Sequence, residues 1–532
     1  MDKQNNHSAL LSVHDLSVSF YTRNGVSQAV KNVSFEVNSG EVLAIVGESG
    51  SGKSVSCYSL LGLIPSPPGK VDSGQALFAG SDLLQLPEDQ LRRIRGNKIA
   101  MIFQDPMTCL NPFLTVGQQL VEPLIYHHQL SRAEAKQQAI ALLAEVGIRN
   151  PQTSFNAWPH EFSGGMRQRV MIAMALIAEP DLLIADEPTT ALDVTIQKQI
   201  LELIRQLQAK RNIAVIFISH DLAVVKNLAH KVVVMQNGEV VEQGPTQQVL
   251  GNPEHPYTQK LLAAIPKGAK PTPVNQNNNQ PLVQINNLSV DFSQKGQRFR
   301  AVDNVSFDIF NGEVLGLVGE SGSGKSTIGR ALMKLVNSSE GRILYRGEAI
   351  QSKSAKEFLP WRRKMQMIFQ DPYASLNPRM TIYDTLAEPM KLHGLAKGPV
   401  LNEAVLKLMD DVGLARAFVR KYPHEFSGGQ RQRIAIGRAI ATKPEFIVAD
   451  EPVSALDVTI QQQILDLLNF LVEKHALSML FISHDLSVVR KLCDRVLVLH
   501  HGKLIESGWV EDVWAKPAET YTQNLLSAAF FN

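Results

Sequence analysis

The sequence that decides the fold is an apolar run followed by a glycine-rich loop, Val42-Leu43-Ala44-Ile45-Val46-Gly47-Glu48-Ser49-Gly50-Ser51-Gly52-Lys53-Ser54. The loop recurs letter for letter after the apolar run 314–318, as Gly319-Glu320-Ser321-Gly322-Ser323-Gly324-Lys325-Ser326, with Thr327 next. Both copies fit the pattern G-x-x-x-x-G-K-[ST], the phosphate-binding loop that joins a strand to a helix. Two copies in matching contexts predict an α/β chain with two nucleotide sites.

The residue types of this loop suit a phosphate ligand. Glycines let the backbone curl so that successive N–H groups converge on phosphate oxygens, and the following helix adds its positive end. Lys53 and Lys325 supply a point charge for the outer phosphates. The hydroxyls of Ser54 and Ser326 are expected ligands of Mg²⁺.

The similarity between the two halves extends beyond these loops. The segment Leu16-Ser17-Val18-Ser19-Phe20 corresponds to Leu288-Ser289-Val290-Asp291-Phe292. A repeat of this length is a duplicated domain, because solenoid units have periods of roughly 20–50 residues. Between the halves lies a stretch rich in Pro, Asn and Gln, which is typical of an extended, mobile linker. We predict one domain at residues 9–265, a linker at 266–281 and a second domain at 282–530.

The composition argues against several other functions. A formal net charge of +2 on 532 residues does not indicate a nucleic-acid or lipid-binding surface. The three cysteines are too few and too scattered for a disulfide framework or a zinc site. The N-terminus lacks an apolar signal core, and the longest apolar run, 170–178, is far shorter than the roughly 20 residues that span a bilayer. We expect a chain that does not cross a membrane by itself.

A serine followed by two glycines stands before a helix-like stretch in each half, as Ser163-Gly164-Gly165 and Ser427-Gly428-Gly429. The helices are predicted at 166–178 and 430–441. Serine is a preferred N-cap, and the glycines leave the first backbone N–H groups open to a phosphate. For either copy taken alone, an ordinary capped helix remains the alternative.

An acidic pair ends a short apolar run in each half, Asp186-Glu187 and Asp450-Glu451. The pattern predicts a buried strand that delivers carboxylates to the carboxyl edge of a sheet, where ligands bind. We expect each aspartate to hold Mg²⁺ through water. Each glutamate is expected to polarise the water that attacks the terminal phosphate, as the catalytic base. The alternative is a solvated acidic loop.

Glutamine and histidine also recur at predicted strand ends. Gln104 and Gln370 each close an apolar segment, and a neutral amide can contact both Mg²⁺ and water. His220 and His484 stand in the shared word Phe-Ile-Ser-His-Asp-Leu, where imidazole can donate a hydrogen bond to a terminal phosphate. A single such residue is usually structural, but recurrence in both halves favours a metal-contacting role for the glutamines and a catalytic role for the histidines.

Taken in this order, the motifs resemble those of the nucleotide-binding subunits of ATP-binding cassette (ABC) transporters, over almost the entire chain. The resemblance identifies D-loops at 191–193 and 455–457 (Ala-Leu-Asp in both). The signature starts with Phe162 or Phe426 where the family often has leucine, and its fifth position is Met166 in the first half against Gln430 in the second. Neither departure removes a phosphate-contacting group. Both sites are therefore expected to be catalytically complete. The aromatic residue that stacks on adenine is expected at Phe20 and Phe292, with Tyr21 as the rival in the first half.

The resemblance implies an ATPase that uses ATP and Mg²⁺. Each half would hold a RecA-like α/β core, an N-terminal antiparallel sheet and a helical insertion between Q-loop and signature. A capping box at Ser131-Arg132-Ala133-Glu134 agrees with the insertion, since helix formers fill 133–146 and Gly147 stands where the helix should end. The family's domains dimerise head to tail, so each ATP would meet the phosphate loop of one half and the Ser-Gly-Gly of the other. The linker would keep the halves at high effective concentration.

Two further sequence motifs narrow the resemblance to one group within the family. Asp-Pro-x-x-x-Leu-Asn-Pro follows each Q-loop glutamine, at 105–112 and 371–378, and each half ends with Tyr-Thr-Gln, at 257–259 and 521–523. Both motifs resemble those of the peptide/nickel uptake group, and the chain is similar to the fused ATPases of oligopeptide, microcin C or glutathione importers. This implies two membrane permease subunits and, indirectly, a periplasmic solute-binding protein. The expected location is peripheral, at the cytoplasmic face of the bacterial inner membrane.

The competing interpretation is an ABC-F type translation factor, which also carries two cassettes on one chain. Those proteins usually join their halves with a long, charged helical arm that reaches into the ribosome. Here the link is short and broken by proline. The peptide importer is therefore favoured, although the transported molecule is not determined by this chain.

Overall fold

The computed structural model of the chain describes residues 9–23, 25–105, 109–189, 193–265, 268, 270, 280–294, 297–454 and 456–529. The chain divides into two compact units, and the main boundary between them lies between Ala264 and Ile265. Three predicted features lie partly outside the described residues: the D-loops (Ala191, Leu192 and Ala455), the first Asp-Pro word (106–108) and most of the linker.

The first unit is built on two sheets. Their strands are β1 (Leu11–Thr22), β2 (Gly25–Val37), β3 (Val42–Val46), β4 (Gly69–Phe78), β5 (Ser81–Asp82), β6 (Ile99–Ile102), β7 (Leu182–Asp186), β8 (Ala214–Ser219), β9 (Lys231–Gln236) and β10 (Glu239–Pro245). The N-terminal sheet is antiparallel, in the order β2-β1-β4-β5. The larger sheet has the order β10-β9-β3-β8-β7-β6 and is parallel except for β10.

The second unit repeats this plan. Its strands are β11 (Val283–Gln294), β12 (Gln297–Ile309), β13 (Val314–Val318), β14 (Glu340–Tyr345), β15 (Glu348–Ala349), β16 (Met365–Ile368), β17 (Phe446–Asp450), β18 (Ser478–Ile482), β19 (Arg495–His500) and β20 (Lys503–Trp509). The sheet orders are β12-β11-β14-β15 and β16-β17-β18-β13-β19-β20. An antiparallel sheet beside a largely parallel one, in both units, confirms the predicted α/β class.

The helices follow the same repeat. In the first unit they are Lys53–Leu60, Glu88–Ile94, Val116–His128, Arg132–Glu145, Pro151–Ser154, Gly164–Leu176, Val194–Arg211, Leu222–Leu228, Thr246–Gly251 and Pro256–Ala263. In the second they are Lys325–Leu332, Leu359–Lys364, Pro372–Ser375, Ile382–Leu392, Gly398–Asp411, Gly428–Ile440, Val458–His475, Leu486–Leu492, Val510–Ala515 and Thr520–Ala529. Short 3-10 turns lie at Pro159–Glu161, Arg416–Arg420 and Pro423–Glu425.

Sheet topology brings the predicted motifs to one edge. Strand β3 is buried along its whole length and lies between β8 and β9, so the loop after it opens at the middle of the parallel sheet. Strand β7 ends at Asp186, β8 ends one residue before His220, and β6 ends two residues before Gln104. Parallel strands present their carboxyl ends at the same edge, where ligands bind in open α/β sheets.

The predicted helix signals are confirmed, with shifted boundaries. Ser131 caps the helix Arg132–Glu145 through a complete capping box with Glu134, and Gly147 has a left-handed φ of 78°. The two signature helices begin at Gly164 and Gly428, two residues earlier than predicted. Each N-cap serine starts its helix directly, so both glycines lie in the first helical turn. The sequence prediction began the helices two residues later because glycine has a low helix propensity.

A lysine from the predicted linker belongs to the second unit. Lys270 Nζ lies 2.8 Å from Asp494 Oδ2, and the Asp494 side chain is only 1% exposed. The same oxygen accepts the Val314 N–H at 2.9 Å. The residue before β9 in the first unit is instead His230, whose Nδ1 accepts the Val42 N–H at 2.9 Å. A buried carboxylate requires a counter-ion, so the second unit depends on Lys270 where the first does not.

Candidate active site

The glycines of the phosphate loop are required by close backbone packing. Gly47 has a φ of 151° and Gly52 a φ of 100°. A Cβ on Gly47 would lie 2.2 Å from the Met235 carbonyl oxygen, and one on Gly52 would lie 2.5 Å from that of Ala29. The second loop is equally tight, with corresponding distances of 2.1 Å at Gly319 and 2.6 Å at Gly324. Side chains are thereby kept out, and the backbone can approach a phosphate.

The lysine of each loop is buried and folded back over the loop. Lys53 Nζ donates to the carbonyl oxygens of Gly47 and Glu48, both at 2.8 Å. Lys325 Nζ makes the corresponding bonds at 2.7 Å. Burial lowers the pKa of Lys325, against the opposing effect of Glu451 and other nearby carboxylates. The ammonium group is thus held at the loop, where a phosphate would meet it.

A serine hydroxyl and a buried carboxylate meet beside each loop. Ser54 Oγ donates to Asp186 Oδ1 at 2.9 Å, and Ser326 Oγ to Asp450 Oδ1 at 2.7 Å. Burial raises the pKa of both aspartates, which a nearby cation would offset. Hard oxygen donors of this kind fit Mg²⁺, which binds through one or two protein groups plus water and phosphate. The described part of the chain holds no cluster of three or more His, Cys, Asp or Glu residues that could hold a metal ion.

The two aspartates have different neighbours. Tyr58 OH donates to Asp186 Oδ2 at 2.8 Å. The same position of the second helix is Arg330. Burial raises the pKa of Asp450, and the positive charge of Arg330 offsets part of that rise. The sequence reasoning missed both residues, although an alignment of the two helices after the loops shows the difference.

Each predicted catalytic glutamate is held by the predicted glutamine and histidine. Gln104 Nε2 lies 3.1 Å and His220 Nδ1 3.3 Å from Glu187 Oε2. In the second unit, Gln370 Nε2 and His484 Nδ1 lie 2.9 Å and 3.2 Å from Glu451 Oε2. Three motifs that are far apart in sequence therefore converge on one carboxylate oxygen in each unit.

The backbone of each glutamate is strained. Both Glu187 and Glu451 have a φ of 46°, in the left-handed region that non-glycine residues rarely occupy. Each backbone N–H donates at 3.0 Å across the sheet edge, to the Ile218 or the Ile482 carbonyl. Strain of this kind is stored where side-chain direction matters, and nothing in the sequence pattern announces it.

Glu451 and His484 reinforce each other's charge. Burial would raise the pKa of Glu451, but the hydrogen bond and charge of His484, together with the Lys325 ammonium, lower it. Burial would likewise lower the pKa of His484, but the hydrogen bond and charge of Glu451 raise it. The glutamate therefore stays ionised, as a general base must be.

We expect His484 to titrate above 6.5, the ordinary value for histidine. Histidine NMR across a pH series measures this, with the resonance assigned by its loss in His484→Gln. Because the folded pKa of His484 is raised, the stabilisation that the imidazolium gains from the ionised Glu451 is full below the unfolded pKa of the histidine, as long as Glu451 stays ionised, and it is lost as pH rises through the folded pKa of His484. Glu451→Gln should bring the titration down, whereas the surface change Glu473→Gln should not. An unshifted His484 in the unaltered chain would contradict the ion pair.

The Ser-Gly-Gly serines act as N-caps in both units. Ser163 Oγ accepts the Met166 N–H, and Ser427 Oγ accepts the Gln430 N–H, each at 3.4 Å. Gln430 also returns a bond, because its Oε1 accepts the Ser427 N–H at 3.1 Å. Methionine cannot do so, and the first cap is therefore the simpler one.

The aromatic candidates for adenine stacking lie on the N-terminal sheets. Phe20 is half-buried, and its ring edge would lie 3.2 Å from a Cβ on Gly69. Phe292, at the matching position, is 41% exposed. The rival Tyr21 is exposed and donates its hydroxyl to Asp72 at 3.0 Å. Phe20 and Phe292 remain a prediction.

The fold and site define a P-loop ATPase cassette, present twice. The sequence profile of the ABC transporter family matches residues 30–190 and 302–454. A second profile, the C-terminal region of oligopeptide/dipeptide transporters, matches residues 241–300. The chain belongs to the ABC transporter family and is an ATP-binding, ATP-hydrolysing subunit.

Curated relatives match the chain over nearly its full length. The peptidoglycan transport ATP-binding protein YejF of Agrobacterium fabrum is 49% identical over 99% of this chain and 98% of that protein. An uncharacterized ABC transporter ATP-binding protein YejF of Escherichia coli is 48% identical, over 97% and 99%. The glutathione import ATP-binding protein GsiA of Salmonella choleraesuis is 46% identical, over 98% and 89%. These matches give no support to the translation-factor alternative. Within the described ranges, no helix has the length and apolarity to cross a bilayer.

Proposed function

We propose that this ATPase powers the uptake of peptides, or of molecules that carry a peptide, through two membrane permeases. The match to an oligopeptide/dipeptide transporter region supports the substrate class. So do relatives named for peptidoglycan transport and for glutathione import, because both molecules contain peptide bonds. The observation that carries the motor function is the convergence of Gln104 and His220 on Glu187, and its repetition at Glu451.

The residues divide the work of hydrolysis. Glu187 and Glu451 take a proton from the attacking water, while the paired histidine and glutamine hold each carboxylate in place. The loop N–H groups and Lys53 or Lys325 bind the phosphates. Ser54 with Asp186, and Ser326 with Asp450, would hold Mg²⁺, and Gln104 and Gln370 are proposed as further contacts of the metal. The metal supplies positive charge to the phosphate oxygens.

The proposed architecture follows from the family. Domains at 9–265 and 282–530 would close head to tail on two ATP molecules, each held between a phosphate loop and the other half's Ser-Gly-Gly. ATP binding would close the halves, and hydrolysis would reopen them. The chain would act at the cytoplasmic face of the inner membrane, bound there through its permeases, with a periplasmic binding protein selecting the substrate.

The segments after the Q-loops are the proposed permease-docking surface. In the first unit this surface carries Phe113, which is 83% exposed beside the N-cap Thr115. The matching position in the second unit is the exposed Arg379, just before the N-cap Thr381. Phe113 therefore offers a large apolar side chain to a partner that docks on this surface.

Phe113→Ser with Arg379→Glu should lower recovery of the chain with membranes by about tenfold or more when it is co-expressed with its permeases, because central interface contacts are lost. ATP binding should not change, since neither residue touches the loops. Phe470→Ser, which removes another exposed phenylalanine, is the matched control. Unchanged membrane recovery would show that the permeases bind to a different surface.

The neighbouring genes give a separate test of the importer. Permease and binding-protein genes adjacent to this one would support it, and their absence would count against it.

A further inference from the structure

Each unit ends with a helix that sets a tyrosine against its own phosphate loop. Tyr257, in the helix Pro256–Ala263, is only 5% exposed, and its hydroxyl oxygen accepts the Glu48 N–H at 3.0 Å. Tyr521, in the helix Thr520–Ala529, accepts the Glu320 N–H at 3.1 Å. Neither tyrosine has a role in the hydrolysis described above. Because the same contact occurs in both units, we treat it as a regular feature of the phosphate loop.

The tyrosine and the loop lysine hold the same peptide group. The peptide between Gly47 and Glu48 offers its N–H to Tyr257 and its carbonyl oxygen to Lys53, which donates at 2.8 Å. In the second unit the peptide after Gly319 is held likewise, with the Lys325 bond at 2.7 Å. If this peptide rotated, the carbonyl that seats the lysine would turn away, and the N–H groups that follow would lose their direction.

The tyrosine itself is held from the last strand of the larger sheet. Glu242 on β10 accepts the Glu254 and His255 N–H groups at 3.0 and 3.2 Å, and His255 Nδ1 accepts the Tyr257 N–H at 3.2 Å. Glu506 on β20 likewise accepts two N–H groups, from Ala518 at 2.7 Å and Glu519 at 3.2 Å. Each helix start is thus anchored to the strand.

A phenol suits this place because it accepts a hydrogen bond without carrying charge. Burial raises the pKa of Tyr521 to about 12, so its hydroxyl stays neutral at physiological pH. A carboxylate could accept the same N–H, but it would set a negative charge beside the phosphates. Stacking supports the second tyrosine, since the His500 ring lies 4.0 Å from the Tyr521 ring at 29°. The corresponding residue at the end of β9 is Gln236, so this support is particular to the second unit.

We propose that Tyr257 and Tyr521 are positioning residues for ATP binding: each phenolic oxygen fixes the first peptide of its phosphate loop and so couples the terminal helix of its unit to nucleotide affinity. The proposal rests on the assignment of the phosphate loops made above. The tyrosine of each Tyr-Thr-Gln motif thereby has a physical role in the ATPase, which is to orient the phosphate loop.

The test replaces only the hydroxyl, with Tyr257→Phe and Tyr521→Phe in the full chain. Loss of one hydrogen bond that orients the loop should weaken Mg-ATP binding by about 3- to 10-fold, with KM rising more than kcat falls. Hydrogen exchange should quicken at the Glu48 and Glu320 amides. The melting temperature without nucleotide should stay close to that of the unaltered chain, because the ring still fills its site. Tyr126→Phe, at a tyrosine that is 51% exposed, is the matched control.

Leucine variants at both tyrosines separate the hydroxyl from the ring, with affinity measured well below every melting temperature. If phenylalanine restores the affinity that leucine loses, packing is sufficient and the proposal is overturned. An unchanged affinity in the phenylalanine variants overturns it as well. Lys53→Ala with Lys325→Ala tests the underlying assignment separately. Normal ATP binding in that lysine variant would show that the loops themselves were misassigned.

Discussion

Replacing Glu187 and Glu451 together by glutamine should lower the rate of ATP hydrolysis by about 10²- to 10⁴-fold, the usual contribution of a general base. Glutamine has nearly the same shape and can still bond to the neighbouring glutamine and histidine. ATP binding should therefore stay within about twofold, and the halves should accumulate in a closed, ATP-bound form. Steady-state hydrolysis and equilibrium binding of Mg-ATP measure the two effects.

The matched control is Glu179→Gln with Glu473→Gln, which makes the same charge change at one exposed glutamate in each unit. It should leave hydrolysis close to that of the unaltered chain. Near-normal hydrolysis in the Glu187/Glu451 variant would show that other carboxylates activate the water.

Combining Lys53→Ala with Ser163→Arg should reduce hydrolysis about tenfold or more below Lys53→Ala with Ser427→Arg. In a head-to-tail arrangement, Lys53 and Ser427 serve one ATP site, so the second change there adds little to the first. Lys53 and Ser163 would serve different sites, so both sites would be damaged. Hydrolysis rates of both double variants, set against their single variants, give the coupling between each pair.

The measurement requires a check that all variants are folded, because arginine at an N-cap removes the bond to the Met166 or the Gln430 N–H. Strong non-additivity between Lys53 and Ser163, with simple additivity between Lys53 and Ser427, would mean that each half builds its own complete site. The head-to-tail proposal would then be wrong.

The sequence was informative wherever local chemistry is specific. The run Val42–Val46 is a strand with the predicted bounds, and Ser131 caps a helix where the capping box placed it. The contacts of Glu187 required tertiary structure, because Gln104 and His220 approach from strands that pair far apart in sequence. The left-handed φ of Glu187 was also out of reach, since no side-chain pattern encodes it. Tyr257 is a further example of what the sequence did not predict. The Tyr-Thr-Gln motif indicated a resemblance to a family, but the contact of Tyr257 with Glu48 is formed only in the folded structure.

The pair between Lys270 and Asp494 bears on how the chain could be divided into two separately expressed proteins. A cut at the end of the apparent linker, just before Leu282, would leave Asp494 without its cation, even though every strand of the second unit would be retained. A cut just after Ala264 keeps the lysine with the carboxylate that it neutralises. Residues that connect two domains can thus be parts of one domain's fold, and such residues cannot be trimmed on the basis of their composition alone.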